Sequence, residues 1–355
     1  MLNKLLILPL LFSALVSYLA TPIVIKLAWK WGLIDDPAKN RHPKVIHTKP
    51  TPRGGGLAVF IGLTAGSLIF LPFDYHLAAI LFGASILTVM GLLDDKHNLN
   101  PYLRLLVQFI AASIPIMSGI GIAFATNPIS GGIIDLSYPQ ITFEFLGQMR
   151  SIWVLSDIFA LFWIVTIMNF LNWGAKGVDG QLPGVAVIAA LTIAVLSYRF
   201  SADITEWPVI VLAALTAGSF LGFLPWSAYP QKIMPSFSGS SLAGYFLALL
   251  SILTTTKVGV LAIVLAVPLI DSGYTVLRRL ASGKSPVWGD RGHLHHRLLD
   301  RGMSRRGVMI FYWAVTAVLG IIALSINAQY KLYTIIGIAL ALAGFILWLT
   351  YRPRH

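Results

Sequence analysis

Long apolar runs, separated by short polar stretches, extend from one end of the chain to the other. A helix needs about 20 apolar residues to cross the hydrocarbon core of a bilayer, and most of these runs come close to that length. The pattern therefore predicts an all-α polytopic membrane protein with about eleven transmembrane helices. The predicted helices are 5–29, 56–72, 77–93, 102–125, 152–171, 182–198, 208–225, 240–256, 258–275, 308–326 and 331–350.

One stretch between two helices has the alternation of a β-strand. Ile141, Phe143 and Phe145 alternate with polar side chains, and the segment 137–140 contains a proline, which is typical of a turn. We predict a small β-hairpin over 133–145 on the outer face of the membrane. No repeat or linker divides the chain, so residues 1–355 are predicted to form a single integral membrane domain.

Composition agrees with a membrane protein and narrows its partners. Hydrophobic residues make up 57% of the chain, charged residues 11%, and the mean hydropathy is +0.78, whereas soluble domains are about one quarter charged. The net charge of +12 is typical of basic cytoplasmic loops and anionic lipid contact, so we predict no nucleic-acid partner. The absence of Cys excludes disulfides and thiolate metal sites. The first apolar run is too long for a signal peptide and is predicted to be a retained helix.

Lysine and arginine are unevenly distributed among the loops, which predicts the orientation of the chain. The loops after predicted helices 1 and 9 and the C-terminal tail are rich in them, and the loops after even-numbered helices are poor. The positive-inside rule then places the C-terminus in the cytoplasm and the N-terminus outside the cell membrane. The basic residues of the three segments are Lys30, Lys39, Arg41, Lys44, Lys49, Arg53, Arg278, Arg279, Lys284, Arg291, Arg297, Arg301, Arg305, Arg306, Arg352 and Arg354.

Four polar clusters lie on this cytoplasmic side and are candidates for chemistry. The first is the pair Asp94 and Asp95, where one apolar run ends and another begins. The C-terminal end of a helix repels carboxylates, so a basic side chain or a metal ion must offset their charge. The alternative interpretation is a solvated helix end without a function.

The second and third clusters combine basic or amide side chains with glycines. Lys49 and Arg53 precede three glycines at the start of a helix, a place where a backbone binds anions, although positive-inside charge alone also explains them. Residues 169–180 include several oxygen donors and a cation that suit a metal and a phosphate, the alternative being a connecting loop. The candidates in that segment are Asn169, Asn172, Lys176 and Asp179.

The fourth cluster, which we call the histidine cluster, covers residues 290–297. Its candidate side chains suit phosphate oxygens better than zinc, because no Cys or nearby Glu completes a usual zinc site. They are Arg291, His293, His295, His296 and Arg297. Together the four clusters indicate a site where a metal-bound nucleotide diphosphate meets a lipid-borne phosphate.

These motifs resemble the polyprenyl-phosphate N-acetylhexosamine-1-phosphate transferase superfamily, also called glycosyltransferase family 4. The resemblance rests on segments 50–55, 91–95, 169–180 and 290–297, in that order along nearly the whole chain. The superfamily includes enzymes that begin O-antigen, enterobacterial common antigen and teichoic acid synthesis and the enzyme that makes lipid I. The resemblance implies that undecaprenyl phosphate attacks a UDP-sugar, releasing UMP, with Mg²⁺ required and Mn²⁺ as an alternative ion.

The resemblance also implies roles for individual residues. Asp94 and Asp95 would handle the lipid phosphate and, with Asn172, the metal, and Asp179 would serve catalysis or nucleotide contact. Substrate contacts would come from Lys49, Arg53, Asn169, Lys176, Arg291, His293, His295, His296 and Arg297. The His-Leu-His-His form resembles the N-acetylglucosamine branch, which predicts GlcNAc-1-phosphate as the transferred group. The oligomeric state stays open, a homodimer included.

Two positions depart from the superfamily pattern. Lys176 stands where an aspartate is usual, and Phe237 stands where a metal-binding aspartate is usual. We expect an active enzyme that depends on Mg²⁺ but binds the ion weakly until nucleotide is present. The alternatives are the same chemistry on another UDP-sugar, such as UDP-MurNAc-pentapeptide, and a lipid- or nucleotide-binding paralogue that has lost catalysis.

Overall fold

The computed structural model describes residues 3–38, 46–127, 132–145, 148–199, 207–254, 257–285, 291–327 and 330–351. Five of the basic residues used to predict the orientation lie outside these ranges, namely Lys39, Arg41, Lys44, Arg352 and Arg354. The first residue of the histidine cluster, Asp290, also lies outside them. Most of the described chain is helical. A π-helical turn, Asn3–Ile7, leads into α1 Leu8–Trp31, followed by α2 Gly56–Phe70, α3 Tyr75–His97, α4 Pro101–Met117, α5 Val154–Gly174, α6 Gln181–Arg199, α7 Trp207–Ser227, α8 Ser236–Leu253, α9 Lys257–Val264, α10 Ala266–Ala281, α11 Leu294–Asp300, α12 Arg305–Ser325 and α13 Lys331–Tyr351.

Eight of the described helices are long and apolar enough to cross a membrane, and the count is nine if the bent pair α9–α10 is one span. Two further apolar helices, Gly56–Phe70 and Pro101–Met117, are shorter. A multi-pass membrane protein is therefore confirmed at this level. The count of about eleven spans stays a prediction.

Two helices differ from their predicted bounds for local reasons. The fourth was predicted to reach residue 125 but ends at Met117, because the chain turns through Gly119, whose φ of +98° does not continue a helix. The ninth was predicted as one helix over 258–275. The structure instead has α9 and α10, bent by 84° at Leu265, and hydropathy cannot register such a bend because both arms are apolar.

Small antiparallel strands accompany the helices, and their pairing differs from the predicted hairpin. The strands are β1 Ile34–Asp35, β2 Thr51–Pro52, β3 Phe124–Thr126, β4 Ile133–Asp135, β5 Gln140–Phe145 and β6 Gln148–Trp153. β1 pairs with β2, β3 with β4 and β5 with β6. The predicted hairpin joined β4 to β5 across residues 137–140. That pairing is wrong, because β4 pairs with the strand before it and β5 with the strand after it.

Among the described helices that could span the membrane, α8 is the most buried. In its most apolar 18-residue stretch 94% of the residues are buried, against 11% in α13. Its first turn lies against the starts and ends of other helices at glycine positions. Gly56 of α2 and Gly91 of α3 both pack directly on the backbone around Ser238, where any Cβ would collide. Such close approach of small residues is how helices associate in membranes. It brings the C-terminal end of α3 and the segment before α2 to the start of α8.

Candidate active site

The C-terminal turn of α3 carries the predicted acidic pair, and both carboxylates are buried. Asp94 accepts hydrogen bonds from the backbone amide of Leu99 at 3.0 Å and from Arg104 Nη1 of α4 at 3.1 Å. The turn is closed by Asn98, which adopts the left-handed conformation with φ of 52° and donates to the Asp94 carbonyl. Arg104 therefore supplies the cation that a carboxylate at a helix C-terminus requires.

Asp95 faces a second arginine. Its Oδ1 lies 3.4 Å from Arg53 Nε, and neither carboxylate oxygen has a well-aligned hydrogen-bond donor among the described residues. Arg53 is held in turn by its backbone amide, which donates to Leu33 at 2.8 Å. Loss of one partner from a buried ion pair costs about 3–5 kcal/mol, so this pair constrains the segment before α2.

The end of α5 brings two predicted residues together. The Asn172 side-chain oxygen accepts from Lys176 Nζ at 2.5 Å and from Ser240 Oγ of α8 at 2.8 Å. Burial lowers the pKa of the Lys176 ammonium, and the negative charge of Asp95 opposes that shift. Lys176 is therefore near enough to Asp95 for their charges to interact, and its bond to Asn172 places it between the end of α5 and the start of α8.

The loop 175–180 is shaped by Gln181, which sequence reasoning did not identify. Its fully buried side-chain oxygen accepts from the amides of Gly177 at 2.9 Å and Val178 at 3.1 Å, and its nitrogen donates to the carbonyl of Gly174 at 3.2 Å. These three bonds define the path of the loop between α5 and α6. A Gln at the first turn of a predicted helix carries no distinctive signal in one sequence.

The remaining acidic candidate, Asp179, faces another direction. Its nearest described cation is Arg305 of α12, at 3.8 Å, and burial raises the pKa of its carboxyl while Arg305 opposes the rise. Asn169 lies on α5 and donates from its amide to Gln108 of α4 and to the Val165 carbonyl, both at 2.8 Å. Asn169 thus belongs to the α4–α5 contact beside the acidic pair.

The histidine cluster is arranged around the start of α11, a helix that the hydropathy pattern did not predict. His293, His295 and His296 are all buried, and the His293 and His295 rings stack at 5.7 Å with an angle of 8° between their planes. The His295 ring packs directly against Gly177, so the cluster touches the loop that bears Lys176. The structure thereby brings the segment 169–180 and the histidine cluster together.

Three predicted substrate contacts have partners elsewhere or face solvent. Arg291 pairs with Asp300 at 2.8 Å, and Arg297 donates to the carbonyl of Gly292 at 2.9 Å. Lys49 is exposed. In the described ranges the contacts of Arg291 and Arg297 stabilise the histidine cluster. The roles of Arg291, Arg297 and Lys49 as phosphate contacts stay predictions.

A cavity of about 240 Å³ lies between α4, α5, α8 and α10, and Arg104, the partner of Asp94, is part of its wall. The wall also includes the polar side chains of Thr166, Asn169 and Asn172, and most of the remaining lining is apolar. Phe237 forms part of this wall, with its ring 5.1 Å from the Arg104 guanidinium carbon. The lining residues are Pro101, Arg104, Leu105, Val165, Thr166, Asn169, Phe170, Asn172, Trp173, Phe237 and Val276. A cavity with this polarity suits a molecule with a charged head and an apolar tail.

Residues 77–255, half of the chain, match glycosyl transferase family 4. The chain belongs to this family. The matched region includes the acidic pair, the loop 175–180 and the start of α8, and it ends before the histidine cluster.

Curated relatives of the family align over most of the chain. The chain is 32% identical over 309 residues to the probable undecaprenyl-phosphate N-acetylglucosaminyl 1-phosphate transferase of Bacillus subtilis (strain 168), covering 84% of this chain and 79% of that protein. It is 30% identical to the decaprenyl-phosphate N-acetylglucosaminephosphotransferase of Mycolicibacterium smegmatis, covering 85% and 77%. A more distant relative, 26% identical, is the phospho-N-acetylmuramoyl-pentapeptide-transferase of Mycobacteroides abscessus, covering 86% and 92%.

The family resemblance implies a magnesium ion, and the three predicted ligands differ in their fit to one. Asp94 and the Asn172 oxygen already accept hydrogen bonds from basic side chains. Asp95 pairs with Arg53 at 3.4 Å, but neither of its buried oxygens has a well-aligned hydrogen-bond donor, so the carboxylate can still take a second cation. The described residues contain no ready-made cluster of three His, Asp or Glu, but Mg²⁺ often takes only one or two protein carboxylates when phosphates and water complete its shell. Asp95 therefore fits as a magnesium ligand beside a bound diphosphate.

Proposed function

We propose that this chain transfers GlcNAc-1-phosphate from UDP-GlcNAc to a polyprenyl phosphate in the cell membrane, as a first membrane step of cell-envelope glycan synthesis. The observation that carries the proposal is the buried acidic pair, faced by Arg53 and Arg104. Arg104 also lines a largely apolar cavity, and Lys176 lies near enough to Asp95 for their charges to interact. The names of the relatives with about 30% identity support the choice of N-acetylglucosamine.

The polar side chains in the cavity wall suit the phosphate of the lipid, and the apolar side chains suit the first isoprene units. An oxygen of that phosphate attacks the β-phosphorus of UDP-GlcNAc. The bond from this phosphorus to the bridging oxygen breaks, and UMP leaves with that oxygen. Arg104 and Arg53 offset the negative charge of the two phosphates, and the other carboxylate of the pair, Asp94, accepts the residual proton of the lipid phosphate when it arrives as a monoanion.

Mg²⁺ forms part of the proposal, with Asp95 as its ligand and with Asp94 and Asn172 beside it. When bound, the ion neutralises charge on the diphosphate. Lys176 approaches the same place as a point charge and contributes to that neutralisation from the protein side. The Asn172 oxygen holds the Lys176 ammonium in this orientation.

The transfer is tested with purified protein in detergent, undecaprenyl phosphate and radiolabelled UDP-GlcNAc at a series of Mg²⁺ concentrations. We expect labelled lipid and an equal amount of UMP. UDP-MurNAc-pentapeptide serves as the competing donor and should give less product. Absence of labelled lipid with any UDP-sugar at every Mg²⁺ concentration would favour a paralogue that binds nucleotide or lipid without catalysis. Phe237 and Lys176, which replace usual acidic residues, are the features that favour this alternative.

We also propose that the site faces the cytoplasm, with the N-terminus outside and the C-terminus inside. The chain has no Cys, so single cysteines report without background. Cysteine introduced at Ser137 should react with a membrane-impermeant thiol reagent in intact cells, and cysteine introduced at Ser285 should react only after permeabilisation. The reverse pattern would contradict this orientation.

A further inference from the structure

A fully buried aspartate on α10, Asp271, holds the first histidine of the histidine cluster. Its Oδ1 accepts from the backbone amide of Leu294 at 2.7 Å, and its Oδ2 lies 2.9 Å from Nδ1 of His293. Neither sequence reasoning nor the family match, which ends at residue 255, assigns Asp271 a role. The residue nevertheless joins α10 to the start of α11 through both of its oxygens.

A carboxylate inside an apolar helix is costly, which makes its presence informative. Ionisable residues within membrane helices are rare and generally mark a functional site. The bond from the Leu294 amide needs only an acceptor, and a neutral side chain provides one. The bond to the imidazole of His293 is the interaction that benefits from a charged acceptor.

This bond determines which ring nitrogen of His293 is available to a ligand. An ionised carboxylate only accepts hydrogen bonds, so Nδ1 must carry a proton. Nε2 is then the ring nitrogen that can face a ligand, and the bond from Nδ1 to Asp271 fixes the rotation of the ring. When the ring binds a second proton at Nε2, this N–H donates to an oxygen of an anionic phosphate. The result is a chain from carboxylate through imidazolium to phosphate, the arrangement by which a carboxylate orients a histidine in other active sites.

The direction of the ring connects this pair to the candidate active site. The His293 ring stacks on His295, and the His295 ring packs against Gly177, next to Lys176. A rotation of His293 would therefore disturb a stack that ends at the loop 175–180. Both histidines are buried and have little room to adjust.

We infer that Asp271 is a positioning residue for the transfer reaction, which fixes His293 so that Nε2 faces the diphosphate of the nucleotide sugar. This inference rests on the proposed function. Asp271 itself touches no substrate and acts through His293. The role accounts for both of its hydrogen bonds and for a buried charge on α10 that packing alone does not require.

Kinetics of Asp271→Asn, His293→Gln and the double variant test the coupling. Loss of an outer partner of a functional histidine typically lowers activity by about 10–100-fold. We expect Asp271→Asn to lower kcat by that factor with a smaller change in the KM for UDP-GlcNAc. The double variant should be no slower than His293→Gln alone, because Asp271 acts through that ring. Additive losses would overturn the inference and leave Asp271 a purely structural residue.

A spectroscopic measurement tests the same pair without relying on turnover. In protein labelled with ¹⁵N-histidine, the signals of His293 are identified by their loss in His293→Gln. The neutral ring in the wild type should carry its proton on Nδ1, and Asp271→Asn should shift the population toward the other tautomer. A control variant of an exposed carboxylate, Asp135→Asn, should leave these signals unchanged.

The two measurements separate failure of the inference from failure of the proposed function. A wild-type ring protonated on Nε2 would overturn the inference whether or not the protein is active. A wild type that forms no labelled lipid would overturn the proposed function, even where the Asp271–His293 pair is present as described.

Discussion

Replacing Gly174 by Ala should slow the transfer by pushing the end of α5 away from α10. Gly174 is the last residue of α5 and lies between Asn172 and Lys176 in the chain. A Cβ at this position would lie 2.7 Å from the carbonyl oxygen of Pro268 and 2.8 Å from its Cα, whereas ordinary contact begins at 3.4 Å. Because both of these atoms belong to the backbone of α10, no side-chain rotation relieves the collision.

The size of the effect follows from these distances. Relief of the shortest contact requires the two helices to separate by about 0.7 Å, the difference between 3.4 and 2.7 Å. Overpacking of this kind costs about 1–3 kcal/mol of stability. A misplacement of about 1 Å lowers turnover by about 100-fold in well-aligned sites, so we expect kcat to fall between about 10-fold and 100-fold. The bond from Ser272 Oγ to the Phe170 carbonyl, now 3.1 Å, should lengthen as well.

The assay is initial-rate formation of labelled lipid, with thermal unfolding in detergent measured on the same preparations. Gly273→Ala on α10 is the matched control, because a Cβ there meets nothing within 4 Å and its φ is ordinary. The control should keep full activity and gain up to about 1 kcal/mol from helix propensity. If Gly174→Ala equals Gly273→Ala in both rate and stability, the α5–α10 contact does not set the geometry of the site.

Four further variants test individual carboxylates and the ion. Asp94→Asn and Asp95→Asn should each lower turnover about 100-fold or more. Each should also lower the melting temperature, because it leaves an arginine without its buried partner, and Asp135→Asn is the exposed-carboxylate control. Burial raises the folded-state pKa of Asp179, so the wild type loses stability as pH rises through that pKa. The melting advantage of Asp179→Asn should therefore grow as pH rises above about 4, the ordinary value for Asp, and a constant difference would contradict the shift. Phe237→Asp adds a carboxylate to the cavity wall and should lower the Mg²⁺ concentration for half-maximal activity, whereas full activity of the wild type in EDTA would exclude a metal requirement.

The sequence predicted those features that depend on local pattern. Apolar runs located the long helices, and the position of Asp94 and Asp95 at the end of one run correctly required a cation nearby. The identities of Arg104 and Arg53 as those cations could not be predicted, because they come from other segments of the chain. Strand pairing failed for the same reason, since alternation identifies a strand but not its partner.

Two missed features did leave a signal in the sequence. Asp271 interrupts an apolar run, and an acidic residue inside a membrane helix is itself a functional hypothesis. Pro268 in the same run marks the neighbourhood of the bend between α9 and α10. Gln181 and Ser240 left no comparable signal, because small or neutral polar residues are common near helix starts and their roles depend on contacts with distant segments.

The charge balance of the site explains how two departures from the family pattern act together. The described carboxylates Asp94 and Asp95 face three basic side chains, those of Arg53, Arg104 and Lys176. The resemblance implies two further acids, at positions 176 and 237, where this chain has a cation and an aromatic ring. Their replacement shifts the site toward positive charge, so less of the diphosphate charge is left for a metal to neutralise. We therefore expect the nucleotide to bind before Mg²⁺ and to supply most of the ligands of the ion, with Asp95 as the carboxylate from the protein.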